Sequence, residues 1–325
     1  MRFAVQLPQS GPHASARGLL DAAVAAERAG LDTLAVTERV LWPVDPVPLD
    51  ASGATGHPPD HQRVLFDQLE VLAAVAAVTE RVELITAIVV AVLQPPAILA
   101  RRVATVDQLS GGRLRLGVGQ GWMRAEYEAA EVPWKRRGAG FEEHVGAMRA
   151  VWGPDPISYD GRFYRLPPSL MGPKPVRPDG VPVYVGANAP AGITRAARFA
   201  DGWLPVGALS DDWEGLERKL RAFVTATDAL GRPPLPVHLR LHTRVTERSL
   251  DGARSPLSGT PEQIAADLER VAALGVGEVC LNQTQLGVPF DEQLDASVRV
   301  RALAGSGSSP APAPSPTPSA QEAAR

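Results

Sequence analysis

The amino-acid sequence predicts an α/β protein whose main domain, residues 1–304, is a (β/α)8 TIM barrel. Three observations lead to this prediction. The chain has 325 residues, which is enough for one large barrel with insertions. Short β-rich runs alternate with helical runs about eight times, and this favours a closed parallel sheet over an open one. Several helical runs end at a glycine, as expected where a helix turns back into a strand.

The N-terminal part of the chain contains four predicted strands and three predicted helices. Each strand is a short run rich in apolar residues, and each helix carries apolar residues at a spacing of three or four. The predicted strands are residues 2–7, 34–37, 82–90 and 113–118. The predicted helices are residues 16–29, 64–78 and 96–109.

The C-terminal part continues the same alternation. Its predicted strands are residues 183–185, 203–206, 238–245 and 278–282, and a predicted helix covers residues 191–199. The last helix has the clearest boundaries. Thr260 is followed by Pro261 and Gln263, a capping box with proline at the first helical position, and Gly275 ends the helix.

Two segments, residues 38–63 and 153–180, are too long to be simple connections. We interpret both as βα-loop insertions and expect them to lie over the catalytic face, where strand C-termini present side chains to a ligand. Residues 305–325 are rich in Pro, Ser and Ala and include the run SGSSPAPAPSPTPSAQ, which has neither a bulky apolar residue nor a charge. We expect a disordered tail there.

Composition excludes several classes of protein. The 33 basic and 36 acidic side chains give a net charge of -3, which offers no electrostatic surface for nucleic acid or anionic membrane. No apolar run approaches the roughly 20 residues that a membrane-spanning helix needs. A single cysteine, Cys280, cannot form an internal disulfide, and the N-terminus has no visible secretion signal. We therefore expect a cytoplasmic protein that binds no nucleic acid and no membrane.

Residues 94–122 carry the most specific motif of the chain, QPPAILARRVATVDQLSGGRLRLGVGQGW. Further motifs follow in order: Glu126, DGRFY at 160–164, PVYVGA at 182–187 and RAARFADGW at 195–203. Together they resemble the bacterial luciferase-like monooxygenase family, most closely its coenzyme F420-dependent oxidoreductase branch. The resemblance implies an enzyme that transfers a hydride between the deazaflavin and a small organic substrate, namely a carbonyl, an imine or an activated alkene.

Candidate cofactor-binding residues lie at predicted strand ends. Gln6 ends the first strand, and Gly119, Gln120 and Gly121 follow the fourth, where missing side chains would let a flat ring approach the backbone. A dinucleotide-binding interpretation of these glycines would need an acidic residue at the end of a second strand, about 20 positions further on. The acidic residues at that spacing lie in a helical segment, so this interpretation is disfavoured.

Two further cofactor contacts come from the resemblance. Gly186, Ala187 and Asn188 connect a strand to a helix, and the resemblance implies that their backbone receives the cofactor phosphate. The alternative is an ordinary βα turn. In members that use a deazaflavin, a non-prolyl cis peptide backs the ring, and alignment places it at Ala87-Ile88.

Catalytic candidates follow the second predicted strand. Glu38 and Arg39 match an acidic residue followed by histidine in many family members, but a guanidinium cannot exchange protons as histidine does. The alternative is a Glu38–Arg39 ion pair without a catalytic role. His57 and His61 are candidate proton partners in the following loop, or else surface histidines. A metal site is disfavoured, because adjacent prolines prevent helical ligand spacing and no third ligand is evident.

Other functions stay open at this point. The first alternative keeps the barrel but uses reduced FMN and O2 in a luciferase-like monooxygenase reaction. The second is a non-catalytic barrel that binds a ligand, suggested by Arg39 in place of histidine. In each case the expected partner is a small molecule. The alanine-rich helices at 64–78 and 96–109 suit close packing, and the resemblance implies that they form the interface of a homodimer.

Overall fold

A computed structural model describes residues 1–12, 14–49 and 54–305 of the chain, which contain fourteen β-strands and nine α-helices. The strands are β1 (Arg2–Gln6), β2 (Thr33–Val36), β3 (Val47–Pro48), β4 (Thr55–Gly56), β5 (Glu83–Thr86), β6 (Val89–Val90), β7 (Leu114–Gly119), β8 (Ile157–Asp160), β9 (Arg165–Ser169), β10 (Val183–Val185), β11 (Gly202–Trp203), β12 (Val206–Gly207), β13 (His238–His242) and β14 (Glu278–Asn282). The helices are α1 (Ala16–Arg28), α2 (Gln68–Ala76), α3 (Pro96–Leu109), α4 (Arg124–Ala129), α5 (Ala139–Trp152), α6 (Pro190–Phe199), α7 (Trp213–Ala229), α8 (Pro261–Ala273) and α9 (Phe290–Gly305).

Ten of the strands form one parallel sheet that closes into a barrel. Its order is β11-β10-β7-β5-β2-β1-β14-β13-β12, with β6 beside β7. The two ends of this path, β11 and β12, are separated only by Leu204 and Pro205. Beside β13, the Trp203 N–H donates to the Pro236 carbonyl at 2.9 Å and the Arg240 N–H to the Pro205 carbonyl at 3.0 Å. Since β5 with β6 and β11 with β12 are interrupted single strands, the barrel has eight strand positions, as predicted.

The interior of the barrel has an apolar side and a polar side. The apolar side is a buried cluster distinct from the larger core between sheet and helices, and it consists of Ala35, Ile85, Ala87, Tyr184 and Leu204. On the polar side, β13 places His238, Arg240 and His242 at alternate positions. Because alternate strand residues face the same way, these three side chains form a column that rises from the bottom of the barrel to its C-terminal face.

The helices are amphipathic and cover the sheet. In α1 the Ser15 hydroxyl caps the N-terminus by accepting from the Gly18 N–H, and the apolar stripe that includes Leu19 is buried against the strands. In α8 Thr260 and Gln263 form the predicted capping box. Gly275 follows this helix with φ at +90°, a conformation that favours glycine, and so ends it as predicted.

Some predicted boundaries differ from the structure. The strand predicted at 82–90 is split into β5 and β6 by the Ala87-Ile88 peptide, which is cis at the position where the resemblance implied it. The helix predicted at 64–78 begins only at Gln68, because Asp67 caps it through the Leu69 N–H. Helices α4, α7 and α9 were absent from the predicted elements and α5 was noted only as a helical segment, although α7 carries a buried apolar stripe at helical spacing.

The second insertion does not lie over the barrel mouth. Residues 153–180 follow α5 and lead into β10, so they form an αβ connection rather than the predicted βα loop. Their last part packs beside the turn before β7, at the N-terminal face: the Val176 N–H donates to Asp107 at 2.7 Å and Arg177 to the Gly112 carbonyl at 3.0 Å. The prediction placed the insertion wrongly because it omitted α5, which returns the chain to that face.

The first insertion, residues 38–63, does follow a barrel strand and reaches the mouth. It contains the antiparallel pair β3–β4 and a 3-10 helix, Asp60–Arg63. The predicted tail lies outside the described residues except for Gly305, the last residue of α9. Among the helices of the described residues, none is both long and apolar enough to cross a membrane.

Candidate active site

A cavity of about 210 Å³ opens at the C-terminal ends of the barrel strands. It lies between residues in or directly after β1, β2, β5, β7, β13 and β14, with the 3-10 helix at one side. The predicted site residues that line it are Gln6, Glu38, Arg39, His61, Ala87, Ile88 and Gly121. The remaining predicted residues lie outside its lining: His57, Gly119, Gln120, Gly186, Ala187 and Asn188. Catalytic sites of such barrels occupy this face.

Glu38 is the titratable group of the cavity whose properties suit proton transfer best. Its Oε2 accepts a hydrogen bond from the Val90 N–H, and Gln68 contacts it from α2. Burial raises the pKa of Glu38 to about 7, and the nearby carboxylates of Glu126 and Asp67 act in the same direction. A carboxyl group with this pKa changes its protonation state near neutral pH, as a general acid or base must.

Arg39 pairs with Glu126, not with its neighbour Glu38. The Arg39 Nη1 lies 2.9 Å from Glu126 Oε1, and the same oxygen accepts from the Val40 N–H at 2.9 Å. Arg39 Nε donates to Gln62 at 3.0 Å. The alternative of a Glu38–Arg39 ion pair is therefore wrong, because α4 brings Glu126 to the guanidinium. Glu126 was missed as a site residue, although its acidic side chain directly after a glycine-rich turn was a usable signal.

The two loop histidines have different surroundings. His61 lines the cavity, and burial together with the charge of Arg240 lowers its pKa. His57 is exposed and stacks on Trp42, with ring centroids 4.7 Å apart and planes at 8°. Of the two candidate proton partners, His61 is the one that the structure brings to the cavity.

The glycines after β7 and β10 make room for the chain's own side chains. A Cβ added at Gly119 would lie 2.6 Å from Ile88 Cδ1, and one at Gly186 would lie 2.7 Å from Ile88 Cγ2. At Gly121 it would meet Val90 Cγ1 at 2.7 Å. These glycines therefore leave room for Ile88 and Val90, and contact of Gly119 and Gly121 with a ligand ring stays a prediction.

Gln6 and Gln120 differ in what their amides contact. The Gln6 amide nitrogen is 3.3 Å from Gln9 Oε1, and its Oε1 is buried without a partner in the described residues. The Gln120 amide instead joins two elements outside the cavity, since it donates to the Arg137 carbonyl and accepts from Arg195 at 3.2 Å. Gln6 is thus free to contact a ligand with its oxygen, whereas Gln120 holds the β7 turn.

The predicted phosphate position lies beside the cavity at the start of α6. Asn188 uses its whole side-chain amide on β12, donating to the Val206 carbonyl at 2.7 Å and accepting from the Val206 N–H at 3.2 Å. The Ala187 carbonyl accepts from the indole of Trp203 at 2.9 Å. The side chain of Asn188 therefore orders the turn. The Gly186 N–H donates to the Val118 carbonyl at 2.8 Å, so the N–H groups of Ala187 and Asn188 are the ones left for an anion in this segment.

The polar side of the barrel adds site residues that the sequence analysis missed. Arg240 and His242 on β13, and Asn282 at the end of β14, all line the cavity. Burial, followed by the neighbouring charges of Arg240 and His61, lowers the pKa of His242 to about 4. The signal was present in the sequence HLRLH at 238–242, where polar residues alternate with leucine in a buried strand. Within the described residues, no group of three or more His, Cys, Asp or Glu is arranged to hold a metal ion.

Comparison with known proteins adds a family match. Residues 1–249 match the family model of the luciferase-like monooxygenases. An uncharacterised protein of Mycobacterium tuberculosis is 35% identical over 277 residues, covering 80% of this chain and 95% of the relative.

Relatives of known activity use two cofactors. The F420-dependent glucose-6-phosphate dehydrogenase of Gordonia bronchialis is 30% identical over 279 residues, which cover 79% of this chain and 75% of the relative. The FMNH2-dependent dimethylsulfone monooxygenase of Pseudomonas putida is 30% identical over 155 residues, which cover 47% of this chain and 42% of the relative. The structure of an F420-dependent secondary alcohol dehydrogenase, with an F420-acetone adduct, has the same fold, with a TM-score of 0.73 at 18% identity over 93% of this chain and 98% of that one.

Proposed function

The chain belongs to the luciferase-like monooxygenase family, and from this premise we propose that it is a coenzyme F420-dependent oxidoreductase. The proposed reaction moves a hydride between the deazaflavin and a carbonyl, imine or activated alkene carbon of a small substrate. The observation that carries the proposal is Glu38, a buried carboxyl with a pKa of about 7 on the wall of the cavity. Reduction of a carbonyl by hydride also consumes one proton, and Glu38 is placed to hold it.

The cavity has surfaces that fit such a cofactor. Ala87, Ile88 and Val90 form an apolar wall against which a flat ring can pack. The buried Gln6 oxygen has no partner among the described residues, so it is available to a polar ring substituent. The backbone N–H groups of Ala187 and Asn188 would hold the phosphate, since the Gly186 N–H already donates to the Val118 carbonyl at 2.8 Å. When bound, F420 supplies a ring carbon that accepts or gives up a hydride.

Glu38, Arg39 and His61 then have different roles in the reaction. Glu38 is protonated below its pKa and ionised above it, so it can give a proton to the substrate oxygen or take one from it. Arg39 is held by Glu126 and keeps a positive charge on the wall without exchanging protons. His61 is neutral at neutral pH because its pKa is lowered, and it serves as a hydrogen-bond partner of the substrate. His57 stays outside this scheme, since it stacks on Trp42 beyond the cavity lining.

The second candidate function is an FMN-dependent monooxygenase that uses reduced flavin and O2. The monooxygenase of Pseudomonas putida supports it, but that similarity covers 47% of the chain, against 79% for the F420-dependent dehydrogenase of Gordonia bronchialis. The broader similarity and the proton-holding Glu38 favour F420.

The test is a titration of the purified full-length protein with F420, followed by the fluorescence of the deazaflavin. A saturable change is expected, together with a weaker response to FMN under the same conditions. No change at high F420 concentration would overturn the proposal. Saturable FMN binding with O2-dependent turnover would then favour the monooxygenase, and failure of both cofactors to bind would favour a non-catalytic binding protein.

We further propose that the enzyme is a cytoplasmic homodimer. The exposed apolar side chains of Ile98 and Leu109 lie on α3, one of the two helices predicted to form the interface. The only cysteine in the sequence, Cys280, is buried and needs no oxidising compartment. Light scattering of the purified protein is expected to give the mass of two chains, and a monomer would contradict the interface.

A further inference from the structure

Arg240 is a charged side chain at the floor of the cavity for which the described residues provide no counter-charge. It is the middle residue of the inward-facing column on β13, and its accessible surface belongs to the cavity that it lines. Its Nε is buried without a hydrogen-bond partner. No carboxylate in the described part of the chain forms an ion pair with it. Burying a guanidinium without a partner costs free energy, so such a group is unusual unless a bound ligand pairs with it.

Two carboxylates of the barrel interior and wall, Glu278 and Glu126, are paired with other groups. Glu278 binds Arg115 at 2.7 Å and His238 at 2.6 Å at the bottom of the barrel. Glu126 binds Arg39 in the wall. The floor of the cavity therefore has an arginine but no neighbouring acid to balance it.

Three groups beside Arg240, namely His61, His242 and Cys280, are neutral at neutral pH. Burial lowers the pKa values of His61 and His242, and the charge of Arg240 contributes to both shifts. Burial raises the pKa of the Cys280 thiol to about 12. The guanidinium thus leaves the floor with an uncompensated positive charge.

Two donors near the floor also lack acceptors. The Asn282 amide nitrogen and the Arg240 Nε are both buried and unpaired in the described residues, and both side chains line the cavity. A buried donor that has lost water needs an acceptor, and an anionic oxygen is the strongest acceptor available. The ligand that would satisfy both donors is therefore an anionic group whose negative charge is shared by two or more oxygens.

We infer that Arg240, with Asn282, binds an oxyanion of the substrate, such as a carboxylate, a sulfonate or a phosphate. The inference rests on the proposed function, because that function places the substrate in this same cavity. The substrate class is then a carbonyl, imine or alkene compound that carries an acidic group remote from the carbon that exchanges the hydride. Glu38 lies on the wall and Arg240 on the floor, so the acidic group would orient the reacting carbon relative to Glu38.

The inference is tested by calorimetric titration of the full-length protein, without cofactor, using benzoate as the probe and benzamide as its uncharged match. Wild type is expected to bind benzoate at least tenfold more tightly than benzamide. Arg240→Gln is expected to lose at least tenfold in benzoate affinity while benzamide affinity stays the same. Arg17→Gln, which changes an exposed arginine on α1, is the matched control and is expected to bind like wild type. Equal benzoate affinity in wild type and Arg240→Gln would overturn the inference.

Thermal unfolding of the same variants checks for a purely structural role. Since Arg240 is unpaired in the free protein, Arg240→Gln is expected to unfold at the same temperature as wild type or higher. A large loss of stability would mean that the guanidinium holds the barrel together, which contradicts the inference. Arg240→Lys keeps the charge and is expected to retain part of the benzoate affinity.

A separate measurement distinguishes the substrate from the cofactor as the source of the oxyanion. The F420 affinity of Arg240→Gln is expected to equal that of wild type, and benzoate is expected to bind wild type already saturated with F420. A parallel loss of F420 affinity would assign the site to a cofactor phosphate and overturn the substrate assignment. If benzoate binds through Arg240 but F420 does not bind at all, the anion site stands and the proposed function fails.

Discussion

Arg39 and Glu126 form a nearly buried ion pair, with 2.9 Å between Nη1 and Oε1 and side-chain exposures of only 9% and 3%. The pair joins the segment after β2 to helix α4, which follows β7. It therefore links two sides of the cavity mouth that are far apart in the sequence. Because both charges are removed from water, neither side chain can lose its partner without a large cost.

The first prediction concerns this pair. Glu126→Leu is expected to lower the free energy of unfolding by about 3–5 kcal/mol, since it leaves a buried guanidinium unpaired. The double variant Arg39→Met with Glu126→Leu is expected to lose less than the sum of its single changes. Urea unfolding of wild type, both single variants and the double variant measures the difference. Strictly additive losses would contradict a coupled pair.

The second prediction concerns Glu38 and pH. Its pKa is about 7 in the folded protein against an ordinary value of 4.5, because burial disfavours the charge. Between these values the folded state binds more protons than the unfolded state, so stability falls as pH rises from about 4.5 to 7. The free energy of unfolding of Glu38→Gln, relative to that of wild type, is expected to be about 3 kcal/mol higher at pH 8 than at pH 4.5. Urea unfolding at both pH values measures this change.

Activity provides an independent readout for Glu38. If the carboxyl exchanges a proton with the substrate, the pH profile of kcat is expected to change near pH 7 in wild type and to lose that change in Glu38→Gln. Asp211→Asn, which alters a carboxylate that does not line the cavity, serves as the control. A profile of Glu38→Gln with the wild-type shape would show that another group carries the proton.

The sequence was sufficient for the barrel but not for the details of its mouth. Alternation of strands and helices, the capping box at Thr260 and the glycine stops depend on local patterns, and local patterns predicted the eightfold repeat. The pairing of Arg39 with Glu126 depends on residues 87 positions apart, which no local pattern connects. The same holds for Ile88 and Gly119, because a Cβ at Gly119 would lie 2.6 Å from Ile88 Cδ1.

Misplaced elements have equally specific causes. The insertion at 153–180 was assigned to the catalytic face because α5 was not among the predicted helices. A helix after a barrel strand returns the chain to the N-terminal face, so the segment that follows α5 begins at that face. Arg240 was missed because residues 238–245 were predicted only as a strand, with no ligand-facing side assigned to it. In a closed barrel, however, inward-facing side chains near the C-terminal ends of the strands line the ligand site. Polar residues at alternate positions there are therefore candidates for binding.

The third prediction concerns the contact between Ile88 and Gly119. Gly119→Ala places a Cβ 2.6 Å from Ile88 Cδ1 and is expected to cost about 1–3 kcal/mol of stability through overpacking. Ile88→Val removes the clashing methyl group and is expected to recover part of this loss when combined with Gly119→Ala. Thermal and urea unfolding of the single and double variants give the coupling. Full additivity would mean that the space beside Gly119 is not set by Ile88.

The fourth prediction concerns the polar network at the N-terminal end of the barrel. Glu278 lies 2.7 Å from Arg115 and 2.6 Å from His238; burial alone would raise its pKa, but these two partners lower it well below its usual range. Its contribution to stability is therefore present above about pH 4.5 and is lost as pH falls below that. Arg115→Met is expected to cost about 3–5 kcal/mol at pH 7 and less at pH 3. Because this network lies below the cavity floor, benzoate and F420 affinities measured at pH 7 are expected to stay within a few-fold of wild type. A loss of binding as large as that of Arg240→Gln would contradict a structural role and would place Arg115 among the residues that support the ligand.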